Sequence, residues 1–508
     1  VAEKTRQFPL GGLPPMPGEI HLAGRRRGFD WKRAAVIVLS TALFFAVYLC
    51  PPWPDAVDPA GRHFALTVQG KGALALFVLA ALWWVFEVVP IGVTGIAVGV
   101  IQALFLIRSP GEAFGDFLDP SVWFIFGSIV IGRTFNKVGL TQRIAYRMLI
   151  LAGERTSLIY LVCFVMTAAL TLVMAHTAAA ATVFPLLMAV YALYEEDDRP
   201  TRFGKGLFIG MAFVAAAGSI VTLLGSARAA VAVGFFKEMA GREITFSELT
   251  RYMFPLGWGM VILLWLYCRI FFPPERKTIP GLRDRVRALH ARLGPMSRTE
   301  WLALGIVLAA IAVMSLHGFV PAFASMDKSA VILVATLLFF AFKILDLEDL
   351  EDIPWNIVLL FGGAMSIGFC LWKTGAAAWA AIHCLALFQG MHWLVFVVGT
   401  ALAVLLMTNF VVNVAVIAIA LPVAVVAARY VGVAPEVVMF ALLAAAGMPF
   451  MLLVGAAPNA IAFGSRQFTS GEFFKAGVHA SLIFMVLLGL FVFLVWPLMG
   501  MPVLVASP

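Results

Sequence analysis

Apolar runs of about 17–25 residues recur along the chain, each long enough to cross a hydrocarbon core roughly 30 Å thick. The first covers roughly 34–50, and two more, near 72–89 and 91–108, are joined by the short turn Glu87-Val-Val-Pro90-Ile-Gly92. A longer segment opens with Pro120-Ser-Val-Trp-Phe-Ile-Phe-Gly127 and ends among Arg133, Lys137, Arg143 and Arg147. Two apolar arms follow, about 157–175 and 178–194. After them come a span near 204–236, broken at Leu224-Gly225-Ser226-Ala227-Arg228, and another near 253–272. The second half repeats this plan, with spans near 302–318 and 328–346 and then the opening Pro354-Trp-Asn-Ile-Val-Leu-Leu-Phe-Gly362. Its arms run about 391–411 and 414–430, its broken span near 436–464 carries Val454-Gly455-Ala456-Ala457-Pro458-Asn459, and a last span lies near 475–498. Counted as full crossings the arms give fifteen spans, and counted as re-entrant hairpins they give eleven; both counts put the N-terminus inside and the C-terminus outside.

Each pair of arms meets at a small-residue, hydroxyl-bearing knot, Thr171 to Pro185 in the first half and Thr408 to Pro422 in the second, with Thr and Pro at one spacing. Broken or polar backbone at membrane depth survives only inside protein or beside a water-filled cavity. Interruptions at corresponding places in two hydrophobic halves point to the midplane binding site of a secondary transporter. There, unwound backbone offers carbonyls to a cation, and half-helix N-termini turn free N–H groups toward an anion. Single glycines at such points serve helix packing equally well; it is the repeated order of four interruptions, at 171–177, 225–228, 408–413 and 455–459, that favours a site.

Composition fixes the class. Of 508 residues 62% are hydrophobic and 13% charged, and the mean hydropathy is +0.97, as expected of an all-α polytopic membrane protein and not of a soluble fold. The formal charge of +8 raises nucleic acid as a partner, but the basic residues gather in short loops, the pattern that sets membrane orientation. The strongest such loop, 273–300, holds Arg276, Lys277, Arg283, Arg285, Arg287, Arg292 and Arg298 and is expected inside, with a basic cytoplasmic tail over 1–33 and an external tail over 499–508. Cys50, Cys163, Cys268, Cys370 and Cys384 lie in or beside apolar segments, without metal-like spacing, and read as packing residues. No Walker loop, His-Glu-x-x-His motif or Gly-x-Ser-x-Gly elbow occurs, which argues against an ATP-driven pump and against an enzyme.

Trp83-Trp84-Val-Phe-Glu87-Val-Val-Pro90-Ile-Gly92-Val-Thr94 resembles the Trp-Trp-x-x-Glu-x-x-Pro segment of the divalent anion:sodium symporters, the dicarboxylate, citrate and sulfate carriers. Thr408-Asn-Phe-Val-Val-Asn413 and Gly455-Ala-Ala-Pro458-Asn459-Ala-Ile-Ala-Phe-Gly464 resemble that family's second-half site. The resemblance runs from about 72 to 498. It implies re-entrant hairpins at 157–194 and 391–430 and eleven spans in an inverted repeat, 72–272 and 301–498. It further implies a homodimer and an elevator movement of a transport domain against a scaffold.

This chain departs from the family at the tips. Where the family has Ser-Asn-Thr, Ala175-His176-Thr177 and Val412-Asn413-Val414 stand, and Ala227-Arg228-Ala229 replaces a Pro-Pro-Asn tip. By resemblance the first sodium site uses Thr171, the residues at 175 and 176, and backbone near Val221. Arg228 stays protonated at any working pH, and two unit charges about 4 Å apart repel by ~4 kcal/mol at an effective dielectric of ~20. The first sodium site is therefore expected to be lost, leaving at most one Na+, held by Thr408, Asn413 and carbonyls near Gly455, with Thr171 a weaker contributor. Beyond that ion no cofactor or metal is expected.

The substrate is expected among His176, Thr177, Ser226, Arg228, Asn413, Ala456 and Pro458. An ionisable group inside a membrane marks a functional site by default, and the simplest partner of Arg228 is an anion; pairing with Glu87 is the alternative. His176 stays open between a neutral core residue, a substrate donor and a titrating coupling group, and Glu87 is expected to cap or pin its turn. Lys137 and Lys373 are expected to mark the inner and outer membrane boundaries. The function these residues support is secondary transport of a small organic anion, a dicarboxylate first, across a bacterial-type inner membrane, with proton coupling or exchange reducing or replacing sodium. A sulfate-like anion, a monocarboxylate or a sulfonate, and an anion channel, are the competing readings.

Overall fold

The computed structural model describes residues 31–51, 53–58, 61–195, 199–316, 320, 323, 326–385 and 391–505. The basic tail expected over 1–33 therefore lies almost wholly outside the described residues. Among the described residues the regular structure is helical, apart from a two-residue antiparallel ribbon pairing Ala56 with Phe64 and Val57 with His63 and two isolated β-bridges, Arg155 with Thr278 and Val433 with Leu504.

In the first half α1 (Trp31–Leu49) precedes α2 (Val68–Val85), α3 (Ile91–Leu104), the short α4 (Pro110–Gly115) and α5 (Pro120–Lys137). A connecting helix, α6 (Leu140–Ala152), leads to a helical hairpin, α7 (Thr156–Leu170) and α8 (His176–Tyr194). A broken helix follows, α9 (Arg202–Ser219) and α10 (Ala227–Ala240), and then the long α11 (Phe246–Phe271). After α12 (Leu282–Arg292) the order repeats as α13 (Arg298–Leu316), α14 (Lys328–Ala341), the short α15 (Leu347–Glu351), α16 (Trp355–Lys373) and α17 (Ala376–Leu385). A second hairpin, α18 (Trp393–Met407) and α19 (Asn413–Val431), precedes the broken helix α20 (Pro435–Ala446) and α21 (Ala457–Phe463) and the final α22 (Ser470–Leu490), which runs on to Leu498. With each hairpin set aside and each broken helix counted once, this is the eleven-span repeat. Among the described residues eight helices are individually long and apolar enough to cross a membrane. Single helical arms of 15 residues, such as α7 and α18, reach only about 22 Å at 1.5 Å per residue.

Two bodies pack along a seam. Helices α2, α3, α5, α13, α14 and α16 form a frame, closest where α3 crosses α16, while the hairpins, the broken helices, α11 and α22 pack on one another. At the α3–α16 crossing a β-carbon on Gly363 would lie 2.2 Å from the Gly95 Cα, so the backbones touch with no side chain between them, the close approach that small residues permit in membranes. Gly363→Val is expected to lower the melting temperature in detergent, at a cost of about 1–3 kcal/mol for overpacking.

The two halves join through polar clasps. Arg143, one of the basic residues among which the segment opening at Pro120 ends, is buried, holding Glu300 at 2.8 and 3.1 Å and the Gly294 carbonyl at 2.7 Å. Lys137, expected to mark the inner boundary, pairs with Asp346 and Asp349. Burial alone would raise the Asp349 carboxyl. Lys137, the Asp346 backbone N–H and Arg133 outweigh it and hold that carboxyl at about 2. Lys373 is exposed, with its ammonium 5.6 Å over the Phe369 ring. Glu87 corrects an expectation. It is exposed at φ +45 in the α2–α3 turn, and the group that caps α3 is Asn356, whose Oδ1 accepts the Gly92 N–H at 2.8 Å.

Candidate functional site

Each hairpin tip lies against the broken helix of its own half. In the first, a β-carbon on Gly225 would sit 1.9 Å from the Thr171 carbonyl oxygen. Thr222 Oγ1 donates to the Leu172 carbonyl at 2.8 Å. In the second, Thr408 Oγ1 lies 2.9 Å from the Ala446 carbonyl. Asn409 Oδ1 accepts the Met451 and Leu452 N–H groups at 2.8 and 3.3 Å, and Asn459 donates to the Pro449 and Leu452 carbonyls at 2.7 and 3.0 Å. The breaks in α-helix are longer than the sequence implied, 220–226 and 447–456, the second holding a 3-10 turn at Leu453–Gly455, rather than 225–228 and 455–459. Pro449, which has no N–H to give a helix, stops α20 well before Gly455.

The halves meet at Arg228. It lies in the first turn of α10, 2% exposed, and donates from Nη2 to Ser219 Oγ at 2.8 Å. The same Nη2 lies 2.6 Å from where a β-carbon on Gly447 would stand, so the guanidinium occupies space that only glycine leaves open on the opposite break. Its Nε has no hydrogen-bond partner, and among the described residues no carboxylate pairs with it. The alternative pairing with Glu87 is removed, since Glu87 is exposed on the α2–α3 turn. His176, partly buried as the first residue of α8, lies within electrostatic reach of Arg228, with Thr177 next along the same turn.

Three half-helices begin here without a side-chain cap. Ala175, Val412 and Ala456 stand at the N-cap positions of α8, α19 and α21, and none has a side-chain acceptor to cap the first turn. Ser226 does cap α10, accepting from the Ala229 N–H at 3.3 Å. Uncapped N–H groups and the dipoles of two 19-residue helices add partial positive charge to that of Arg228. Pro458 is buried in the first turn of α21, beside the Gly455 turn.

The two tips differ in their oxygens. Thr408 Oγ1 stands 2.9 Å from both Asn413 Oδ1 and the Ala446 carbonyl, a cluster of three hard oxygens of the kind that suits a hard cation. Thr171 Oγ1 instead donates to Ala168 in its own helix at 2.7 Å, and Ala175 brings no side-chain oxygen. Ser219, Asn409, Ala446 and Gly447 were missed as site residues. A signal existed for some of them, because Ala-Ala-Ala-Gly stands at both 215–218 and 444–447, immediately before each break.

A cavity of ≈ 760 Å³ opens beside the first tip, walled by Gly132, Arg133, Asn136 and Lys137 of α5, Ala178 of α8 and Asp349 of α15. Its wall at Gly132 backs directly onto Met174 of the tip.

A family model for the sodium:sulfate symporter transmembrane region matches residues 31–502. The sodium-dependent dicarboxylate transporter SdcS of Staphylococcus saprophyticus is 27% identical over 460 residues, covering 86% of this chain and 88% of that protein. The Staphylococcus aureus transporter of the same name is 25% identical over 451 residues, covering 85% and 86%. Two solved structures share the fold at 14% identity and a TM-score of 0.57. Neisseria gonorrhoeae MtrF, described among antimetabolite efflux pumps, covers 94% of this chain and 96% of its own; the Alcanivorax borkumensis YdaH transporter covers 93% and 98%. With the hairpins, the paired breaks and this match along nearly the whole chain, the protein is a multi-pass membrane transporter belonging to the divalent anion:sodium symporter family.

Proposed function

We propose that this transporter carries a small organic anion, a dicarboxylate first, by an elevator movement of the hairpin body against the frame, with its sodium requirement reduced to one ion. The observation that carries this reading is Arg228, a buried cation without a carboxylate, set between the two broken helices. One carboxylate of the substrate takes its fork, as guanidinium favours, and His176, Thr177 and the uncapped starts of α8 and α19 supply further donors. The relatives named for sodium-dependent dicarboxylate transport support the diacid. The apolar Val412, Val414 and Ala456 suit a less polar remainder, which keeps a monocarboxylate or sulfonate as the second substrate class, with sulfate behind it.

Sodium is read at Thr408, Asn413 and the Ala446 carbonyl alone, while Arg228 supplies the positive charge of the first-half site. That permanent charge also favours exchange as the second coupling mode, because it needs no ion to refill it. The basic loops support an orientation in an inner membrane with the ≈ 760 Å³ cavity and the N-terminus on the cytoplasmic side and the C-terminus outside. A homodimer with a complete site in each protomer follows from the resemblance.

Uptake into proteoliposomes tests the reading. Saturable uptake of a four-carbon diacid into empty vesicles, driven by a sodium gradient and lost in choline, is the expected result. Uptake only into substrate-loaded vesicles would establish exchange, and non-saturating conductive flux would overturn the carrier for a channel.

A further inference from the structure

The seam between the hairpin body and the frame is open at one end and sealed at the other. At the cytoplasmic end the ≈ 760 Å³ cavity separates α8 from α5. At the opposite end the turn between α10 and α11 lies on the start of α14. There Lys328 Nζ donates to Glu243 Oε1 at 2.8 Å, with the Lys328 side chain only 13% exposed. Thr245 and Phe246 close on Val313, Met314 and Val331 around a crevice of ≈ 20 Å³, room for about one water.

The ion pair is built to part. Glu243 has a second cation on its own body, Lys237, at 3.0 Å. Lys328 has Asp119 of its own frame within electrostatic reach. Each partner thus keeps an opposite charge when the two bodies separate, which avoids the cost of stranding a partly buried ion. We propose that Lys328 and Glu243 form the outer gate contact of this carrier, closed in the arrangement seen here and broken once in every transport cycle. The proposal rests on the hairpin body moving against the frame.

The test uses the full-length carrier with the less buried cysteines, Cys50 and Cys384, changed to serine. In Glu243→Cys/Lys328→Cys, a reductant-cleavable bifunctional thiol reagent is expected to cut transport by about tenfold or more by trapping one population. Reductant should restore transport, and the anion-dependent thermal shift should survive the cross-link. Cross-linked protein that transports at the unlinked rate would overturn the gate. In Lys328→Glu, where two carboxylates face each other, a cysteine at Val331 is expected to react several-fold faster with an impermeant external maleimide; an unchanged rate would also overturn it. If unlinked wild-type vesicles show no saturable anion uptake, the transport reading itself fails, while the labelling arm still reports on the contact.

Discussion

Arg228→Met is expected to make the anion-free protein more thermostable while abolishing its stabilisation by anions. A buried guanidinium with one neutral hydrogen bond and an unpartnered Nε is an uncompensated charge in a low-dielectric interior. Replacing buried ionic groups by apolar residues of similar volume is often neutral or stabilising by about 1–4 kcal/mol. Loss of the substrate's charged partner should cost about 2–5 kcal/mol of binding, as it does where one member of a buried hydrogen-bonded charge pair is truncated. Transport at subsaturating substrate falls with it. Arg228→Lys keeps the charge but not the planar fork and should land between. Melting curves of the three proteins with and without diacid decide the matter. If Arg228→Met lowers the anion-free melting temperature, the arginine is a structural strut tied to Ser219, and the substrate binds elsewhere.

Much of this architecture was legible because membrane-spanning backbone must satisfy itself, so departures from a continuous apolar helix stand out. The Thr–Pro spacing of 171–185 and 408–422 marked both tips, although only the family resemblance read the arms around them as hairpins, and Gly225 and Gly455 each fell inside a break. The unread features depend on which elements meet. Nothing near Asn409 in sequence says that its side chain holds two backbone N–H groups forty residues away. Likewise, Asn356 is read as a cap for α3 only once α16 is known to cross it. The connecting helices α6, α12 and α17 were passed over because they are too polar or too short to span, and span length was the criterion. Glu87 misled for a related reason: an acid beside a turn looks like a cap until a competing amide arrives from another helix.

The asymmetry between the tips bears on sodium more than on the anion. In a two-fold repeat with equal sites, Thr171→Val and Thr408→Val would be equivalent perturbations. Here they should not be. Thr408 shares its neighbourhood with Asn413 Oδ1 and the Ala446 helix-end carbonyl, whereas the Thr171 hydroxyl bonds only within its own helix and Arg228 stands in the helix turn that follows the adjoining break. Thr408→Val, nearly isosteric, should therefore raise the sodium concentration for half-maximal thermal stabilisation by about tenfold, the equivalent of roughly 1.4 kcal/mol. Thr171→Val should leave it within about twofold, since it removes only an intrahelical bond with a net worth of about 1 kcal/mol to folding. Wild-type uptake should depend on sodium with a Hill coefficient of about one, as a single site requires. Equal effects of the two substitutions, or a coefficient near two, would restore a sodium ion to the first half. Arg228 would then have to share its break with a second cation, a repulsion that the loss of side-chain oxygen at Ala175 does nothing to offset.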